Sequence, residues 1–274
     1  MNGLKVDLDK LSEGIVVDLE KRVIDSNKLP DDINVTLALD VSGSMEHLFR
    51  DGSVLHTLQR VVAVSNVIDD DGILNFNCFS SSSFPQEDIE AKRDFKNLPQ
   101  LVKDLSRTRG GFWGGTYFQP VLSDIVNGHK DATTPAPTTK VVNKSVPVTS
   151  FIGKMWNIIR GVFGLAPNMT TVQETVIVPP VLKSEEEVTK QLVILITDGD
   201  NNDETSTRAF FKEMQKDNQF FFQCIGVGHS SRFLRECASQ FSNVGYTELS
   251  SFTEDDDALT SALVSTQVLR HFGY

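Results

Sequence analysis

Apolar and polar positions follow two rhythms along the chain. INVTLALDV (33–41) is a continuous apolar, β-branched run closed by an acid, the pattern of a strand buried on both faces. Val54, Leu58, Val61 and Ile68 then recur at near-helical spacing, which predicts a helix over about 54–69 packed on the sheet and stopped by DDDG at 69–72. ILNFNCFS (73–80) predicts a second strand, 95–106 a helix, and GGFWGGT (110–116) a loop; a short helix over 118–128 follows, with Pro120 in its first turn. KQLVILITD (190–198) is the strongest strand pattern, followed by a helix over 203–217 with Asp203 or Thr205 as its cap. FFFQCIGVG (220–228) reads as a buried strand, 231–239 as a helix, VGYTELS (244–250) as a last strand and 256–272 as a closing helix. This alternation predicts a doubly wound, Rossmann-like α/β fold, a mostly parallel central sheet with helices on both faces. In such sheets ligands bind outside the carboxyl ends of the strands, near the point where the strand order reverses.

Two stretches break the rhythm. LKVDLDKLSEGIVVDLEK, near the amino terminus, alternates charge with small apolar groups and reads as a hairpin or extended lead-in, so 1–32 is set apart as an extension and 33–274 as the domain. Residues 131–189 carry Thr/Pro-rich flanks (DATTPAPTT and TVIVPPVLKSEEE) around a greasy centre; a compact domain rarely holds so long an irregular loop, so this is read as an insertion rather than a second domain. Within it Phe151, Ile152, Met155, Trp156, Ile159 and Phe163 fall close to one helical face, which predicts an amphipathic helix near 150–165. Its own domain is the first surface it would pack on and a partner groove the second. A membrane comes last, because the helix carries only two cations and the chain is acidic.

At 274 residues the chain fits one large domain, with no need of disulfides or metal to hold a core. Its 26 basic and 37 acidic residues leave a net charge of −11, which argues against nucleic acid as a partner, since phosphate binding needs clustered Lys and Arg. Cys78, Cys224 and Cys237 form no CxxC pair, which suits a reducing compartment and offers no zinc site. MNGLKVDLDK has no basic segment leading into an apolar stretch, and the greasy run at 151–166 is interrupted by Lys154, Asn157 and Arg160. Both point to a cytoplasmic protein.

Three segments carry candidate chemistry. Asp40, Ser42 and Ser44 alternate at the end of the first strand, with Gly43 allowing a tight turn; Thr116 follows the glycine loop; Thr197-Asp198-Gly199-Asp200 closes the strongest strand. All three would meet at one edge of the sheet, where Asp40 and Asp198 offer two carboxylates and Ser42, Ser44 and Thr116 three hydroxyls. That oxygen-only set suits a hard cation such as Mg²⁺ and not zinc. Other readings of these residues are blander. Asp40 and Ser42 could cap a turn. The run 198–203 imitates the start of an EF-hand loop, but its sixth position is Asp203 rather than Gly and its twelfth Ala209 rather than Glu. The glycines at 110–115 lack the ending of a phosphate loop or a dinucleotide fingerprint, and VSGSM at 41–45 is no GxSxG elbow. Trp113 reads equally as a packed anchor or a partner contact, and His229 as structural; Asp69–Asp71 and Asp255–Asp257 read as helix ends.

DxSxS at 40–44, the isolated Thr116 and TDG at 197–199, in this order, resemble the metal-ion-dependent adhesion site of von Willebrand factor A (vWA) domains. More narrowly, LDVSGSM (39–45), FRDGSV through DDDG (49–72), GGTYFQPV (114–121), LITDGDNND (195–203) and QFFFQCIGVGHSSRFL (219–234) resemble the intracellular vWA domains of tellurium-resistance (Ter-type) proteins and the related copines. The resemblance covers about 33–130 and 190–260. It implies that Ser42, Ser44 and Thr116 ligate Mg²⁺, with Mn²⁺ or Ca²⁺ as alternatives, while Asp40 and Asp198 hold metal-bound waters and orient the hydroxyls. Neutral hydroxyls leave the ion under-neutralised, so a partner's Asp or Glu carboxylate is the implied further ligand. The implied function is cation-dependent protein binding without catalysis, in a Ter-type tellurite or stress response, with Ter-type proteins among the implied partners. The rival reading is a Mg²⁺-dependent phosphohydrolase on a Rossmann-like sheet. It needs a nucleophilic Asp with a second acid two positions on, where this chain has Ser42, and no lysine follows closely. A scaffold with a vestigial site is a third, weaker reading.

Overall fold

The computed structural model describes residues 7–23, 30, 32–133, 138–147, 169–178, 189–228, 230–251 and 256–274. By internal contacts the chain divides into two units, Met1–Gly128 with Glu187–Tyr274, and His129–Glu186. The described strands are β1 (Ile33–Asp40), β2 (Ile73–Phe79), β3 (Ser83–Pro85), β4 (Ile89–Glu90), β5 (Thr138–Pro147), β6 (Met169–Val178), β7 (Lys190–Thr197), β8 (Phe220–Val227) and β9 (Val244–Leu249).

The larger unit is an α/β fold around one sheet of order β3-β2-β1-β7-β8-β9, with β4 also on β2. The pairs β1–β2, β1–β7, β7–β8 and β8–β9 are parallel; β3 and β4 run antiparallel to β2. The chain steps outward from β1 to β2, then crosses to the other side of β1 to build β7, β8 and β9. The strand order therefore reverses between β1 and β7, and the crevice of a doubly wound sheet falls at their carboxyl ends, where Asp40 and Thr197 sit.

Period-2 alternation divides the apolar side chains between two layers. Leu192, Ile194 and Ile196 of β7 join one cluster with Leu37, Leu39 and Phe76, while Val193 and Leu195 join the other with Ala38, Phe220 and Phe222. The first layer packs under α1 (Leu8–Arg22), α3 (Ser53–Ile68) and α5 (Leu98–Leu105), which follow in chain order around the short α2 (Glu46–Asp51) and α4 (Ala91–Asp94). The second packs under α6 (Phe118–Thr133), α7 (Glu204–Met214) and α8 (Arg232–Gln240). The chain closes on the first layer with α9 (Asp256–Leu263) and α10 (Thr266–Phe272).

Several elements differ from the expectation. The amino-terminal lead-in is not extended. It is helix α1, because Leu8, Leu11, Ile15 and Leu19 lie three and four residues apart, a period that the interleaved charges disguise. Ile15 and Leu19 are buried in the first layer, and Asp7 caps the helix by accepting from the Asp9 amide. The closing helix is broken in two, since the Ser265 hydroxyl accepts from the Val268 amide and starts α10 afresh. The helix expected over 95–106 begins as a 3₁₀ turn, Phe95–Asn97, before α5 takes over with Pro99 in its first turn. β3 and β4 were too short to show in the pattern.

The smaller unit holds a hairpin-like antiparallel pair, β5 on β6, running from Thr138↔Val178 to Pro147↔Met169. Both strands are rich in Thr and Val, which favour extended backbone, though this stretch read as irregular. The amphipathic helix expected near 150–165 lies outside the described residues, as does His229. Among the described residues no helix is long and apolar enough to cross a membrane.

Candidate metal centre

The first segment is built on a carboxylate at the end of β1. Asp40 is fully buried. Its Oδ1 accepts the Ser42 amide at 2.7 Å, closing the tight turn that Gly43 continues, and its Oδ2 accepts the Thr197 hydroxyl at 2.6 Å. The turn runs into a 3₁₀ segment, Gly43–Met45, and then α2, which brings the Ser42 and Ser44 hydroxyls to 3.2 Å from each other. The Ser44 hydroxyl donates to Asp198 Oδ1 at 2.7 Å, a bond between residues 154 positions apart. Asp40, Ser42, Ser44 and Asp198 are thus one hydrogen-bonded set at the crevice.

Thr116 arrives on the glycine loop, which is bound to both other segments. Gly43 N donates to Gly114 O (3.1 Å), Trp113 N to Val41 O (2.8 Å), and Asn202 N to Thr116 O (2.8 Å). Thr116 itself is buried. The glycines serve close approach: a Cβ on Gly114 would lie 2.6 Å from Ser81 Oγ, and Gly111 holds a left-handed φ of 115°. Trp113 is the one non-glycine residue with positive φ (67°) among the described residues. Its ring packs edge-on to Phe49 at 5.4 Å, and its Nε1 donates to Thr108 O at 3.2 Å. Of its two readings the structure supports the packed anchor.

Burial pushes the Asp40 carboxyl up to about 6. The Thr197 hydroxyl and the Ser42 amide oppose the rise, and the charge of Asp198 adds to it. The groups that act on this buried acid are hydroxyls, an amide and a second carboxylate, a setting in which the ionised form lacks a counter-charge. An oxygen-only donor set around such an acid fits a hard divalent cation. His47, the nearest imidazole in sequence, directs its Nδ1 to the Ser44 carbonyl at 2.7 Å.

Two residues contribute in ways that spacing alone did not disclose. Thr197 was grouped with the acids after it, and its hydroxyl is what fixes Asp40. Asp203 or Thr205 was expected to cap the helix after β7. Asp203 makes no side-chain cap there; its carboxylate reaches back to Phe118 N (3.0 Å) and Gln119 N (2.9 Å) and caps α6 instead. Asp200 is exposed in the loop.

The fold and these three segments define a vWA domain. The family model for vWA-TerF-like domains, the vWA found in the TerF C terminus, matches residues 32–244, and the chain belongs to that family. Bacillus subtilis (strain 168) YcbR is 29% identical over 121 residues; the match covers 44% of this chain and 46% of YcbR, so the chain aligns with about half the length of that relative. Among solved structures, proximal thread matrix protein 1 from the mussel byssus is similar at a TM-score of 0.49 and 14% identity, over 88% of this chain and 48% of that one. The manganese-loaded Plasmodium vivax TRAP protein is similar at 0.47 and 17% identity, over 86% and 73%.

Proposed function

We propose that this protein binds a divalent cation, Mg²⁺ first and Mn²⁺ or Ca²⁺ as alternatives, and uses it to hold an Asp or Glu carboxylate of a protein partner. The observation that carries the reading is the bond from Ser44 to Asp198, with Ser42 beside it and Asp40 pinned beneath by Thr197. Ser42, Ser44 and Thr116 would hold the ion through hydroxyls; Asp40 and Asp198 would orient those hydroxyls and hold water. The bound ion supplies positive charge and an open position for an acidic ligand. Without it, a surface with a net charge of −11 repels such a partner. Family membership supports placing the protein in the cytoplasm, in a Ter-type tellurite or stress response with Ter-type partners.

The protein on this reading is not an enzyme. A phosphohydrolase would need a second acid two positions after its nucleophilic Asp, where Ser42 stands, and no lysine follows closely. The test is affinity capture from cells with Mg²⁺ or with EDTA, alongside a phosphate-ester assay. Partners that elute with EDTA and are lost in Asp198→Ala, with no hydrolysis, support the reading. Hydrolysis lost in Ser42→Ala would replace it with the phosphohydrolase.

A further inference from the structure

The Asp203 carboxylate lies in the loop after β7, yet its hydrogen bonds serve a helix 84 and 85 positions earlier in the chain. Oδ1 accepts Phe118 N at 3.0 Å and Oδ2 accepts Gln119 N at 2.9 Å, so both oxygens sit on amides of the first turn of α6. Asn201 Nδ2 (2.9 Å) and the Thr207 hydroxyl (3.1 Å) also donate to Oδ1, and Asn201 Nδ2 lies 3.1 Å from Thr207 Oγ1. Asn201 and Thr207 are buried. Three of these donors fall on Oδ1 and one on Oδ2, so the carboxylate is committed to the cap and its charge complements the positive end of the α6 dipole. One residue away, Asn202 N donates to Thr116 O at 2.8 Å, and the space at Gly115 is closed by Asn202, whose Nδ2 would lie 3.0 Å from a Cβ there. Thr116 is two residues ahead of the capped amides. Its backbone is therefore gripped on both sides by 201–207, a segment that itself begins three residues after Asp198.

We infer that Asp203 is a positioning residue for the metal centre: by capping α6 from the Asp198 loop it sets where Thr116 stands relative to Asp40, Ser42, Ser44 and Asp198. The inference rests on the metal-binding reading, and it concerns an acid that the DxSxS–Thr–TDG pattern does not include. Two consequences separate it from a merely structural cap. Loss of Asp203 must act on metal affinity through Thr116, and it must loosen the loop before Thr116 even without metal.

The test is a double-mutant cycle on the full chain, read by Mn²⁺ titration, thermal unfolding and amide hydrogen exchange. Asp203→Ala is expected to weaken Mn²⁺ binding by about tenfold, within the range for groups that orient metal ligands. Asp203→Asn, which keeps one acceptor oxygen, should fall between and serves if the Ala variant does not fold. In a Thr116→Ala background the same change should cost less than about twofold in affinity while still lowering Tm. Metal-free exchange over residues 111–117 should quicken. Unchanged Mn²⁺ affinity, or an equal loss in both backgrounds, would overturn the inference. If the wild type binds no Mn²⁺, the metal reading fails and a role for Asp203 at a metal centre is overturned with it; faster exchange at 111–117 then shows only that Asp203 holds the Thr116 loop, and unchanged exchange overturns that as well.

Discussion

Asp40 and Asp69 sit near opposite ends of β1 and share most of what usually marks a functional acid. Both are buried, and burial is the main force raising both carboxyls, to about 6 for Asp40 and about 7 for Asp69. Their partners differ. Asp69 accepts Val35 N (3.1 Å) and Asp71 N (3.4 Å), and Asp71 in turn accepts Ile73 N (2.7 Å). These bonds close the turn from α3 to β2, and the charges nearest Asp69 are those of Asp71 and Asp70. Among the described residues, Asp69–Asp71 also form a cluster of acids whose carboxylate oxygens lie within 4.8 Å of one another. Asp40 takes one backbone amide too, but its other bond comes from a hydroxyl 157 positions away, beside two serines and a second acid. Burial and a raised pKa therefore do not separate a turn-closing acid from a site acid. On the proposed function, what separates them is a partner set of hydroxyls drawn from distant segments.

The largest expected effect tests that distinction. At a thousandfold excess over Kd, Mg²⁺ or Mn²⁺ should stabilise the fold by about 4 kcal/mol, roughly 8–16 °C in Tm for a chain of this size. Asp40→Ala and Asp198→Ala should remove the shift, whereas Asp69→Ala should lower Tm and keep it. The reverse outcome in thermal scans would place the ion at the acidic turn.

The next effect is a pH dependence. A carboxyl raised on folding stabilises fully below its unfolded value and loses that contribution as pH rises through its folded value. For Asp40, a rise from 3.8 to about 6 corresponds to about 3 kcal/mol, lost between about pH 4 and 6 in the metal-free protein. Asp69 acts with the same sign up to about pH 7. Urea unfolding in EDTA should show Asp40→Asn flattening the lower part of this slope relative to wild type, and Asp69→Asn the upper part. On the proposed function the ion needs ionised Asp40, so the metal-dependent Tm shift should be small at pH 5 and full at pH 7.5. A shift independent of pH would remove Asp40 from the site.

Two smaller effects come from the partners of each acid. Thr197→Val removes the hydroxyl that favours ionised Asp40 and should cost about 1.5–3 kcal/mol at neutral pH, moving the onset of the metal-dependent shift to higher pH. Asp71→Asn removes a like charge beside Asp69 and should stabilise by less than about 1 kcal/mol, without touching Mn²⁺ affinity. Equal consequences for Mn²⁺ binding from both changes would erase the difference between the two acids.

The central strands were legible because a parallel sheet buried on both faces writes itself as unbroken runs such as QLVILIT and FFFQCIGV. Asp40, Ser42, Ser44 and Asp198 were legible as a group because each stands at the carboxyl end of such a run, and neighbouring strands put those ends together. Helix α1 was not, since its apolar face of Leu8, Leu11, Ile15 and Leu19 is diluted by the acids and lysines of its solvent side. β3 and β4 hold only a few residues each at the margin of β2. β5 and β6 were readable in principle from their Thr and Val content, but the prolines beside them weighed more. Asp203 was assigned to the helix it precedes because sequence proximity is the only guide to a cap; that it serves α6 depends on a crossing no local pattern records. Thr197 needed the same knowledge, since its hydroxyl meets Asp40 only across the β1–β7 pairing.

On the proposed function the chain holds one divalent cation through Asp40, Ser42, Ser44, Thr116 and Asp198. The most direct test of that function is an equilibrium Mn²⁺ titration, read by loss of the free-ion paramagnetic resonance signal, on wild type, Asp40→Ala, Asp198→Ala and Asp69→Ala at pH 7.5. One competable site per chain is expected in wild type and in Asp69→Ala, and none in the other two. Wild-type binding that survives both Asp40→Ala and Asp198→Ala, or no binding at millimolar Mn²⁺, would contradict it.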